Sequence, residues 1–94
     1  MEIAAFQKLM RDRYYATDSA RGAAGTFLWL TEEFGELAEA IARHERGDGD
    51  RAELEEEFAD VLAWLATLAN ITGADLARAI ENKYVRDGGP TGTK

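Results

Sequence analysis

The sequence predicts an all-α fold: a helical bundle of three main helices plus a short fourth, built around a central antiparallel helical hairpin. Three observations carry that prediction. Apolar residues recur at steps of three and four through separate segments, no segment alternates with the period of two that a half-buried strand needs, and glycines punctuate the chain between segments. At 94 residues the chain allows one domain with a limited core, so completion of that core by self-association is expected.

Residues 2–16 carry Ile3, Phe6, Met10 and Tyr14 on one helical face, widened by Ala5 and Leu9. The polar stretch from Ala16 to Gly22 reads as a loop, in which Asp18 and Arg21 can form a surface pair or Arg21 can reach a bound phosphate. A second helix runs from about Thr26, a candidate N-cap, to about Glu45, with Phe27, Leu30, Phe34, Leu37 and Ile41 as its stripe. Gly47-Asp48-Gly49 stops it. Asp50 and Glu53 have the form of a capping box opening a third helix, whose stripe is Leu54, Phe58, Val61, Leu65 and Leu68 and which ends near Ile71, before Thr72-Gly73. A shorter helix from about Asp75 to Val85 closes a domain of residues 1–86, and the tail 87–94 has almost nothing to bury and is expected to be disordered.

Composition excludes several classes. A net charge of −7 and a pI near 4.6 repel a phosphate backbone, so a nucleic-acid polymer is not the expected partner. The absence of cysteine removes disulfides, zinc ribbons and thiol nucleophiles. No apolar run has the length of a membrane span and the N-terminus lacks the pattern of an export signal, so a cytoplasmic location is expected.

The acidic residues are placed with more order than composition requires. At about 100° per residue, Glu33 and Glu36 lie about 60° and about 120° to one side of Leu30, and Glu57 and Asp60 lie at the same angles from Leu54. In an antiparallel hairpin like flanks meet, so the two acidic flanks face each other. The pairs Glu33 with Asp60 and Glu36 with Glu57 share a midpoint between residues 46 and 47, at the Gly-rich turn, so they also agree in register. Four carboxylates brought together repel one another unless a cation neutralises them, and an all-oxygen set suits Mg²⁺ or Mn²⁺. Glu32, Glu39, Glu55 and Glu56 fall farther round and are expected in solvent. A di-iron site would want Glu-x-x-His pairs, whereas the single histidine, His44, sits near a helix end where it suits the dipole or solvent.

The motif Glu32-Glu33-x-x-Glu36, followed after twenty residues by Glu57-x-x-Asp60, resembles the MazG-like nucleotide pyrophosphohydrolases of the all-α NTP pyrophosphatase superfamily. Thr26-Phe27-Leu28-Trp29-Leu30, Leu37-Ala38-Glu39-Ala40-Ile41 and Asp60-Val61-Leu62-Ala63-Trp64-Leu65 are similar too, and the resemblance covers most of residues 3–86. It implies Mg²⁺-dependent hydrolysis of a nucleoside triphosphate to monophosphate and pyrophosphate, with Glu33, Glu36, Glu57 and Asp60 holding metal and one of them acting on the attacking water. It further implies phosphate binding from the last helix, where Asn82, Lys83 and Arg86 match by position, and a homotetramer, with a dimer as the alternative. Specialised relatives acting on dUTP, dCTP or phosphoribosyl-ATP are an alternative reading, and a non-catalytic helical dimerisation module is another.

Other side chains have two readings each. Trp29 and Trp64 fall on the acidic flank, where they can wall the site or stack on a base, or else pack a helix or subunit contact. Gln7 can read a base edge or simply be solvated. Leu28, Leu62, Trp64 and Ala69 spread beyond a single stripe, which a second protomer would cover.

Overall fold

The computed structural model describes residues 1–92, and these are helical with no strand. Helix α1 is Ile3–Arg46, α2 is Arg51–Thr72 and α3 is Leu76–Ile80. Among the described residues no helix is long and apolar enough to cross a membrane.

The loop expected over residues 16–22 shrinks to one residue. Helical geometry continues through Asp18 and Arg21 and breaks only at Gly22, whose φ of 84° and ψ of 170° divide α1 into two arms. That conformation is almost confined to glycine, which explains a sharp bend there. The polar residues before it stay helical with a local pair and a contact across the fold: Asp18 is buried and binds Arg21 at 2.7 Å, and Arg21 in turn lies 4.8 Å from the centroid of the Trp64 ring on α2, so this pair is not the surface pair expected. Thr26 is likewise not an N-cap. It lies inside the second arm, fully buried, with its hydroxyl oxygen accepting from Arg21 Nη1 at 3.4 Å.

The second arm ends on Gly47 in the left-handed region (φ 82°), with Gly47 N–H donating to the carbonyl of His44 and Asp48 N–H to that of Arg43, both at 3.1 Å. This cap reverses the chain within four residues, and α2 runs back antiparallel. Asp50 caps α2 by accepting from Ala52 N–H at 3.0 Å. Glu53 does not complete a capping box. It turns instead to Arg43, whose guanidinium also holds Glu39 at 2.6 Å.

The first arm packs on the far half of α2 and is fastened there by polar groups. Gln7 Nε2 donates to Asn70 Oδ1 (3.0 Å) and to the Ala74 carbonyl (2.7 Å), Gln7 Oε1 accepts from Leu76 N–H (3.0 Å), and Asn70 Nδ2 donates to the Gln7 carbonyl (3.1 Å). Gln7 is therefore neither a base reader nor a solvated side chain but the tie between the N-terminal arm and the α2–α3 turn. The helix expected over 75–85 is α-helical only at Leu76–Ile80, after which Glu81–Val85 forms a π-helical turn and Arg86–Gly88 a 3₁₀ turn. Of the tail 87–94, residues 93 and 94 lie outside the described residues.

The hairpin seam is rotated from the apolar stripes toward the acidic flank. Leu30, Ala40 and Leu54 are buried, but Phe27, Phe34 and Ile41 on α1 and Phe58, Leu62 and Leu65 on α2 are each at least 40% exposed. Phe27, Phe34 and Ile41 recur at seven-residue steps, so they form a straight apolar row beside the seam. Trp64 and Ala69, by contrast, find cover within the chain.

Candidate metal and nucleotide site

Glu33 and Glu36 project from the second arm of α1 and Glu57 from α2, and one carboxylate oxygen from each lies within 4.8 Å of the others. The three are drawn together because the rotated seam puts Glu33 and Glu57 half inside it, while Glu36 closes the open side. Asp60 is exposed and stands outside this group of three. Glu36 lies at the same angle on its helix, but the side chain of Asp60 is one methylene shorter. Glu32, Glu39, Glu55 and Glu56 are exposed, as expected from their angles.

Glu33 Oε2 and Glu57 Oε2 are buried and have no hydrogen-bond partner. Desolvation is the main reason that Glu33 is raised above the ordinary glutamate range, followed by the charges of Glu36 and Asp60, a hydrogen bond with Glu36 and the charge of Glu57. Glu57 is raised in the same way, first by desolvation and then by Glu36 and Asp60, with Glu53 adding least. Asp60 therefore belongs to the electrostatic site although it lies outside the tight triad. Buried carboxylate oxygens without donors are costly, and a divalent cation is the partner that would satisfy them, so this donor set fits a hard metal ion.

Trp29 stands one helical turn before Glu33 and Trp64 one turn after Asp60, and their rings stack at 6.2 Å between centroids with 16° between planes. Arg21 lies over the Trp64 ring, 4.8 Å from its centroid, while bound to Asp18 and Thr26. The guanidinium is thus committed within the chain. Beside this cluster a cavity of about 320 Å³ opens between the first arm and α2, with Tyr14, Thr17 and Asp18 on one wall and Ala63, Trp64 and Thr67 on the other. Sequence reading missed Asp18 as a lining residue; its spacing of three from Arg21 was visible, but not that the pair would be folded into a helix and buried. Asn82, Lys83 and Arg86 are exposed on the last turns, Lys83 Nζ lying 5.4 Å from the centroid of Tyr84.

No curated protein matches the chain. The family model of the MazG nucleotide pyrophosphohydrolase domain matches residues 22–86, a span that starts at the bend in α1 and takes in the whole hairpin with its acidic group, so the chain belongs to the MazG family.

Proposed function

We propose that this protein is a Mg²⁺-dependent nucleoside triphosphate pyrophosphohydrolase that converts an NTP or dNTP and water to the monophosphate and pyrophosphate, in nucleotide-pool sanitation or control. The observation that carries this reading is the pair of buried, partnerless oxygens of Glu33 and Glu57 inside a hairpin matched by the family. Glu33, Glu36, Glu57 and Asp60 hold the metal, with Mn²⁺ as a workable substitute. Bound metal neutralises phosphate charge and lowers the pKa of water. The water oxygen bonds to the α-phosphorus, the bond from that phosphorus to the α–β bridging oxygen breaks with pyrophosphate leaving, and a carboxylate of the group orients the water and takes its proton. Asn82, Lys83 and Arg86, exposed at the end of the chain's helical part, are the candidates for the outer phosphates. Trp29 and Trp64 wall the site, and Arg21 serves by holding Trp64.

A second copy of the chain covers the apolar row of Phe27, Phe34 and Ile41 together with Phe58, Leu62 and Leu65, giving a homotetramer or, failing that, a dimer. The functional unit spans residues 1–86, and its place is the cytoplasm with the nucleotide pools. Glu36→Gln and Asp60→Asn each abolish pyrophosphate release in a panel of NTPs and dNTPs with Mg²⁺, while far-UV circular dichroism stays unchanged. Full activity in either variant would remove the metal mechanism and leave the passive helical module. The same panel separates a general enzyme from one specialised for dUTP, dCTP or phosphoribosyl-ATP.

A further inference from the structure

The acidic side of the hairpin continues past the metal group toward the turn. Glu33 agrees in register with Asp60 and Glu36 with Glu57, and one step nearer the turn Glu39 and Glu53 meet on a single guanidinium, that of Arg43. At about 100° per residue Glu53 lies about 100° from Leu54, on the flank that carries Glu57 and Asp60. Glu53 and Glu57 are both half-buried and stand one helical turn apart, near enough that the charge of Glu53 is felt at Glu57. Their surroundings differ. Glu57 Oε2 has no hydrogen-bond partner, whereas Glu53 Oε1 accepts from Arg43 Nη1.

Arg43 is a cross-link as well as a counter-charge. Its Nη2 donates to Glu39 Oε1 at 2.6 Å on its own helix, while Nη1 reaches across to α2. Among the described residues no other ion pair joins α1 to α2. The backbone beneath it is held too, since the Arg43 carbonyl accepts from Asp48 N–H at 3.1 Å and a Cβ on Gly49 would lie 3.1 Å from the Arg43 carbonyl carbon. The guanidinium therefore projects from a fixed stem.

Two effects of Arg43 on a cation held by Glu36 and Glu57 oppose each other. As a positive charge it repels the cation, so its removal would tighten binding. As a cross-link it keeps mutually repelling carboxylates of two helices at the separation an ion needs, so its removal would loosen binding. The first effect is the weaker one, because Glu39 and Glu53 already neutralise the guanidinium and the three groups are partly open to screening solvent.

Resting on the metal reading above, we propose that Arg43 is a positioning residue of the metal site: its bridge from Glu39 to Glu53 sets the spacing of Glu36 on α1 against Glu57 on α2 and keeps Glu53 out of the set that binds the ion. Arg43 touches neither ion nor substrate.

Calorimetry of Mn²⁺ on the full chain, without nucleotide, tests this. Arg43→Met removes the bridge at a half-buried position and weakens Mn²⁺ binding about tenfold or more, with far-UV circular dichroism unchanged. Arg43→Gln, also a good helix former, repeats the loss if the Met variant does not fold. The exchanged pair Arg43→Glu with Glu53→Arg has the net charge of the unaltered chain and a reversed bridge, and it recovers most of the affinity. A bridge that served stability alone would lower the urea midpoint and leave the affinity of folded protein as it was. Binding unchanged or tightened in folded Arg43→Met or Arg43→Gln protein, or an exchanged pair that binds no better than Arg43→Met, overturns the positioning role and leaves the metal site standing. Absence of saturable Mn²⁺ binding to the unaltered chain overturns the metal reading, and the role of Arg43 with it.

Discussion

Glu33 and Glu57 illustrate how a residue chosen for chemistry acts on stability. Burial and the neighbouring carboxylates raise both groups, so between the ordinary glutamate value of about 4.3 and the raised values the folded chain binds more protons than the unfolded one. Stability contributed by the protonated forms is complete below that window and is lost as pH rises through it. Metal-free protein therefore loses this contribution to its urea midpoint as pH climbs above the ordinary glutamate value, and Mg²⁺ flattens the slope by taking the place of the protons. A midpoint that rises through the window in chelator would contradict the desolvation described for this pair. The spacing of the four acidic residues was legible in the sequence because helical angle depends only on residue number. The looser position of Asp60 was not, since it depends on how far the seam rotates and on one methylene of side-chain length.

At the scale of the elements, two features hold the N-terminal arm in place, the break at Gly22 and the tie between Gln7 and Asn70. Gly22 adopts φ 84° and ψ 170°, and a Cβ placed there would meet nothing within 4 Å. The cost of Gly22→Ala is thus conformational, about 1–3 kcal/mol, read as a lower denaturation midpoint with unchanged cooperativity. Asn70 is buried and paired in both directions with Gln7. Asn70→Ala strands part of that tie and costs about 1–3 kcal/mol. Lys8→Ala, which removes only the exposed Lys8–Asp12 pair, costs about 1 kcal/mol or less by the same measurement. Helix periodicity and the Asp50 and Gly47 caps were readable because each is a local signal. Gln7 was misread as solvated because its partners lie more than 60 residues away.

The whole chain, at 10.4 kDa, leaves a broad apolar surface on the side of the hairpin away from the acidic group. Phe58 is 53% exposed and Leu62 41%, and an apolar groove runs between Phe58, Leu62 and Leu65. Leu62→Glu puts a charge into that face without touching a carboxylate of the site. If this face joins copies as proposed, sedimentation shifts toward the monomer mass, and a sedimentation profile equal to that of the unaltered chain would overturn that role for the face.

What the sequence by itself determined was the all-α class, the helical hairpin with its antiparallel sense, and the convergence of Glu33, Glu36 and Glu57. Those follow from backbone repeat and from residues a few positions apart. Only the tertiary structure decided that the seam turns toward the acids and strands Phe27, Phe34 and Phe58 in solvent, that residues 16–21 are helix, and that Asp18 is buried. Each of those depends on which distant surface a side chain meets. Such contacts are chosen by the packing of the chain as a whole and leave no periodic trace in the sequence near them.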